Sequence, residues 1–202
     1  MFALVQDGSI TKHISGNKGI TIGDVQYPRS IFTLWSEAER NAVGIYEVVF
    51  NNTNKKDEAY YTNTNQSFAF ADGVVTASFG SATAKALADR NATDEDDVEL
   101  DPVVVIEGLK TKHKRIIKQQ ASSLLTPTDW YVIKATEVES YSAPSAITTY
   151  RANVRTASND MEVLIDACST VDELAALYQY VNTGTEEEPV MERPLGEFPE
   201  AV

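Results

Sequence analysis

Apolar positions recur every second residue in the first half of this chain and every third or fourth in the second half. That pattern predicts strands followed by helices. The apolar run 2–5 leads into Asp7-Gly8, a dipeptide suited to tight turns, and then into residues 9–14, so a short hairpin is expected. Ile20, Ile22, Val25 and Tyr27 carry the alternation on until Pro28 stops it. Ser36 and Glu39 have the spacing of a capping box, in which each side chain accepts from the other's backbone N–H. A short helix should follow and end before Gly44. Residues 45–50 read as a buried strand with Asn51-Asn52 as its exit. Residues 67–71 and 74–79 flank Asp72-Gly73 and form the strongest hairpin signal in the chain. Residues 82–89 fit a short helix.

The second half opens on six carboxylates within residues 94–101, a density that favours an extended, solvated linker. From 102 to 125, Ile106, Leu109, His113, Ile116, Ile117, Ala121 and Leu124 share one helical face. Lys110, Lys112, Lys114, Arg115 and Lys118 take the rest. Pro127 and Thr128-Asp129 should end this helix, and residues 130–136 read as extended. Pro144 suits a helix start. Ile147, Tyr150, Val154, Ala157, Met161, Leu164 and Cys168 then form a heptad seam. Thr170 and Glu173 make a second capping box, opening a helix with Val171, Leu174, Leu177, Tyr178 and Val181 facing inward. The expected architecture is α+β, an N-terminal antiparallel β-rich domain followed by a C-terminal helical unit. Its parts are a β-rich domain over 1–90, an acidic linker over 91–101, a helical unit over 102–183 and an extended tail over 184–202.

Length and composition narrow the function. The chain has 202 residues, enough for a sizeable core, and 43% hydrophobic residues, too many for wholesale disorder. Its formal net charge of −13 repels phosphate backbones and argues against a general nucleic-acid binder. The single cysteine, Cys168, leaves no intramolecular disulfide, so folding does not require an oxidising compartment. The first residues lack the basic start and long apolar run of a signal peptide. No window approaches the roughly eighteen apolar residues of a membrane span. Synthesis and folding in a cytoplasm, away from membranes, are expected.

Candidate chemistry is sparse. His13 and His113 lack companions at metal-ligand spacing, so packing or surface roles are favoured. The acidic run lacks the glycine and terminal glutamate of a calcium loop and reads as solvated. The basic cluster 110–118 lacks interleaved aromatics, which favours a solvated face or contacts with the chain's own carboxylates. No nucleophile elbow or phosphate loop is present, and Cys168 on the seam reads as a small buried hydrophobe. No catalytic residue, metal ligand or cofactor is therefore expected. Arg151 and Arg155 share a helix face. They could clamp the Trp130 turn internally, through Asp129, or form a partner-binding edge, and the spacing does not choose.

The order Leu124-Leu125, Thr128-Asp129-Trp130, Pro144, Ile147, Tyr150-Arg151 and Val154-Arg155 resembles the C-terminal module of phage tail-fibre assembly and tail-assembly-chaperone-like proteins. The N-terminal line from Phe2-Ala3-Leu4-Val5 through Gln26-Tyr27-Pro28, Ile31-Phe32, Leu34-Trp35 and Gly44-Ile45-Tyr46 is similar to the β-rich openings of the same class. The resemblance implies a non-enzymatic protein of a tailed-phage tail module. It would bind a tail-fibre or tail protein, as a monomer or homo-oligomer, in the host cytoplasm during assembly. Trp130, Tyr150, Arg151 and Arg155 are the implied partner-binding residues. One departure matters: in the family the Tyr-Arg helix lies near the end of the chain, whereas here a capped helix and a proline-punctuated tail follow it. That admits the alternative of a structural virion component that stays in the tail, baseplate or fibre.

Overall fold

The structure, a computed structural model, describes residues 1–201. It is α+β and divides into two compact units, Met1–Thr83 and Ala84–Val202. The first unit is built on hairpins. β1 (Phe2–Gln6) and β2 (Ser9–Ile14) are joined at Asp7-Gly8, with φ of 51° and 75°, the left-handed pair that a two-residue turn between twisted strands requires. β3 (Ile20–Ile22) and β4 (Val25–Tyr27) form a second small hairpin. One helical turn, α1 (Ile31–Leu34), and the boxed α2 (Glu37–Ala42) precede β5 (Ile45–Asn51). In the box, the Ser36 N–H donates to the Glu39 carboxylate at 2.7 Å and the Glu39 N–H to Ser36 Oγ at 3.3 Å. Gly44 links α2 to β5 at φ +80°, and a Cβ there would lie 2.6 Å from the Val5 carbonyl oxygen, so only glycine fits the junction. After the two-residue β6 (Tyr61–Thr62), β7 (Ser67–Ala71) and β8 (Val74–Ser78) form the expected hairpin about Asp72-Gly73.

The main sheet has the order β2-β1-β5-β8-β7. Its pairings are antiparallel except β5 with β8, which run parallel. Both faces of β1 are buried. Ala3 and Val5 join Val48, Val75 and Ala77 on one side, and Leu4 joins Ile14, Ile20, Ile31, Phe32 and Ile45 on the other. The sheet curls until its outer strands approach, and the His13 ring on β2 lies 4.2 Å from the Phe68 ring on β7.

The segment 82–89 is not helical; its only regular structure is the two-residue β9 (Thr83–Ala84). In the second unit, β10 (Arg90–Asn91) pairs antiparallel with β11 (Val105–Ile106). The acidic run is consequently the folded connection between two paired strands and not an extended linker. Asp94 Oδ1 accepts from the N–H groups of Asp96 and Val98, both at 2.9 Å, and Asp97 turns the chain at φ 61°. Local side-chain-to-backbone bonds outweigh the like-charge repulsion, which water screens at such an exposed tip. The boundary between compact units falls at 83/84, ahead of the expected 91–101 linker.

α3 (Leu109–Leu125) begins later than 102 because Val104 to Ile106 are committed to the hairpin. Asp89 supplies the cap that Gly108 cannot. Its carboxylate accepts from the Gly108 N–H at 2.7 Å and from Thr111 Oγ1 at 3.0 Å, and these bonds lower its pKa. A 3-10 turn (Thr126–Thr128) carries the chain directly into α4 (Asp129–Glu137), so the segment expected to be extended is a helix. α5 (Ser145–Ala167) follows, then the boxed α6 (Val171–Ala176) and the small pair β12 (Val181–Asn182) and β13 (Met191–Glu192). Val181 lies exposed in β12 and does not face the core as expected.

The buried face of α5 follows the expected seam at Ile147, Tyr150, Val154 and Met161, and Cys168 just past its end is buried too, but Ser158 and Ile165 replace Ala157 and Leu164. Leu164 is 38% exposed. A straight helix turns once per 3.6 residues and drifts about 20° per heptad from a 3.5 repeat, which favours the later neighbour at these two positions. Tyr150, Val154 and Ala121 form a core cluster that also takes Leu124, Leu125 and Phe198. The tail is part of the fold: Leu195 is only 2% exposed, and its N–H donates to the Leu177 carbonyl at 3.0 Å.

Candidate functional site

Four residues were singled out from sequence, and the structure separates them into two pairs. Tyr150 and Arg151 are buried; Trp130 and Arg155 are exposed. Successive turns of α5 place both arginines beside the turn that joins α3 to α4. Pro127 stands at an early position of that turn, where a missing N–H costs nothing.

Arg151 closes the turn. Its Nη1 donates to the Leu125 carbonyl at 2.8 Å and to Thr128 Oγ1 at 2.5 Å, and Nη2 pairs with Asp129 Oδ1 at 2.7 Å. Thr128 Oγ1 itself donates to the Leu125 carbonyl at 2.8 Å. Tyr150 adds a long bond from its hydroxyl to the Leu124 carbonyl at 3.4 Å. One planar guanidinium thus ties the last carbonyl of α3, the turn and the first residue of α4 to α5. A lysine could not do this, because its three donors do not form a fixed fork. Burial gives Tyr150 and Arg151 a structural role first, whereas of the four residues expected at a partner surface Trp130 and Arg155 are the exposed ones. Thr128 and the Leu125 carbonyl were not legible as clamp members, since a threonine in a turn carries no signal for a partner on another helix.

Beyond the clamp stands α4. It has no buried residue, although Trp130, Val132, Ile133 and, just past its end, Val138 are large and apolar. Trp130 is 50% and Ile133 55% exposed. Lys134 Nζ lies 5.5 Å from the Trp130 ring centre and 4.3 Å from that of Tyr141, which draws the exit of the helix back toward its start.

Arg155 donates only to the Arg151 carbonyl, at 3.2 Å, and has no carboxylate partner among the described residues. It lines a cleft of about 440 Å³ between α3, α5 and the Thr126 turn. A second, more apolar groove of about 600 Å³ runs between Ile116 and Leu124 of α3 and Phe198 and Pro199 of the tail.

The remaining candidates resolve into structural roles. The basic cluster is spent largely on the chain's own carboxylates: Lys114 with Asp166 at 2.8 Å, Lys118 with Glu162 at 3.2 Å and Arg115 with Glu107 at 3.0 Å. His113 Nδ1 lies 2.8 Å from the Tyr178 hydroxyl, and burial lowers the pKa of its imidazole. The Cys168 thiol is buried, and burial pushes its pKa up, aided by the Glu173 charge, so little of it is thiolate. Among the described residues no cluster of histidine, cysteine or carboxylate side chains could hold a metal ion, and no helix is long and apolar enough to cross a membrane. What the arrangement offers chemically is a rigid apolar helix beside a cleft with one uncompensated guanidinium. No family model, curated protein or solved structure matches this chain.

Proposed function

We propose that this chain is a non-enzymatic protein of a tailed-phage tail module, whose helical unit binds a tail-fibre polypeptide and assists its assembly. The observation that carries the reading is α4, a helix with four large apolar side chains at or near it that lie exposed among the described residues. Exposed apolar surface of this kind is kept where a partner covers it, and tryptophan is among the residues enriched as interface anchors. The Arg151 clamp supports the reading, because a helix fixed before binding loses less freedom when it binds. The motif that resembles phage assembly proteins thus divides into a scaffold, Tyr150 and Arg151, and a presented surface, Trp130 and Arg155. The site of action would be the host cytoplasm during assembly.

Co-expression with the tail-fibre polypeptide of the same phage tests this. Soluble, trimeric fibre should rise with this protein and fall back with the double variant Trp130→Ser, Ile133→Ser, while the thermal melt of the variant stays within a few degrees of the parent. Unchanged fibre yield in the presence of the parent protein would sink the proposal. A second reading, a structural component that stays in the tail, baseplate or fibre, draws on α6 and the tail. These lie beyond the resembling motif and are built into the core through Leu174 and Leu195. Stoichiometric copies in purified particles would favour that reading, and their absence would remove it.

A further inference from the structure

We infer that the cleft beside Arg155 binds a carboxylate carried by the protein partner, an inference that rests on reading the helical unit as a partner-binding module. Charge balance is the first argument. The cleft contains two acids, and each is already neutralised: Asp129 by Arg151 at 2.7 Å and Glu162 by Lys118 at 3.2 Å. Arg155 is left over, so a chain of net charge −13 holds a local surplus of one positive charge at this point.

Hydrogen bonding is the second. Ser158 lines the same cleft, is 8% exposed, and directs no hydrogen bond to another described residue, so its hydroxyl opens on the cleft. A hydroxyl at the cleft wall can donate to an acceptor that enters it. Arg155 directs only one bond inward, to the Arg151 carbonyl, leaving further N–H donors for a planar acceptor. The side chains of Ser122 and Asn159 line the cleft and are likewise without a bond inside the described structure.

The acceptor is a monoanion. Phosphate carries about −1.5 to −2 near neutrality and would meet the Asp129 and Glu162 carboxylates with only one surplus cation to offset it. A carboxylate matches the single charge, and Leu125 and Ala121 in the cleft wall suit the methylenes of a glutamate.

The full-length protein is titrated by NMR, following the Arg155 side-chain Nε–H and the Ser158 and Asn159 amides. The probes are N-acetylglutamate α-amide, N-acetylalanine, N-acetylglutamine amide and inorganic phosphate. Saturable shifts with the first probe and none with the neutral glutamine isostere are expected. N-acetylalanine separates a side-chain from a chain-terminal carboxylate, and a response to either supports the site. Arg155→Gln should weaken the interaction about tenfold or more, the usual loss for a charge-assisted bond. Ser158→Ala should weaken it less, and neither should shift the melting temperature by more than a few degrees. Equal response to the glutamine isostere, preference for phosphate, or indifference to Arg155→Gln would each overturn the inference. Failure of fibre binding with intact carboxylate binding would strike the phage reading alone; the converse would strike the cleft alone.

Discussion

Removing the Arg151 guanidinium should unfasten α4 from the rest of the helical unit, and the size of the effect can be worked from its contacts. Arg151→Met keeps most of the apolar stem and deletes the fork. Two bonds lie inside the protein, to the Leu125 carbonyl and to Thr128 Oγ1, and a bond to a charged group contributes about 1.5–3 kcal/mol. The Leu125 carbonyl still accepts from Thr128 Oγ1, so its loss is partial. The Asp129 side chain is 50% exposed and rehydrates once released, which limits that pair to about 0–1 kcal/mol. Methionine fills part of the space and offsets some of the rest. The net expectation is a destabilisation of about 2–4 kcal/mol. Arg151→Lys should recover the charge but not the fork, and lose roughly half as much. Arg155→Gln, exposed one turn further along the same face, should stay within about 0.5 kcal/mol. The chain has two tryptophans, Trp35 in the first unit and Trp130 in the second, so Trp35→Phe leaves a probe of the helical unit alone. Urea titrations in that background, read by fluorescence and by helical circular dichroism, give the midpoints. If Arg151→Met and Arg155→Gln unfold at the same urea concentration, the clamp is not structural and the assignment of the two arginines is wrong.

The His113 imidazole is held below its usual value of 6.5 by burial, so the unfolded chain takes up a proton more readily than the folded one. Its contribution to stability is therefore complete above about pH 6.5 and is lost as the pH falls through the lower folded value; melting curves between about pH 7.5 and 5 should show His113→Gln less sensitive to acid than the parent. Asp89, whose pKa is lowered by its bonds to the Gly108 N–H and Thr111, acts below the ordinary carboxylate range and leaves that window clear. Leu195→Ala should cost about 2–5 kcal/mol in the Trp130-reported transition and leave the Trp35-reported one unmoved, showing that the tail belongs to the helical unit.

Features written in adjacent residues were legible in the sequence. Asp7-Gly8 and Asp72-Gly73 turn where expected, and both capping boxes form, because each depends on residues within a few positions. The parallel pairing of β5 with β8 was not legible, since the partners are brought together by the whole sheet. Residues 130–136 read as extended because Trp, Tyr, Val and Ile favour strands, yet propensity is a weak prior against a turn that already delivers helical backbone. Asp129 in the first turn and Lys134 in the last suit the helix ends and help hold it. For the site, the four residues came from sequence, but their division into buried and exposed pairs did not. Helical spacing places Arg151 and Arg155 on one face and is silent about which of them meets the turn of another helix. Ser158 was missed outright, because the heptad register pointed to Ala157.

The approach of β2 to β7 bears on how the β unit behaves in a crowd. An open sheet offers two rows of unpaired backbone groups on which another chain can stack as a further strand. In this unit the two rims turn toward each other, with His13 against Phe68 across the gap, so an incoming strand would first have to part those rings. Where many partly folded chains are present at once, that arrangement hinders recruitment of the β unit into runaway strand-on-strand growth.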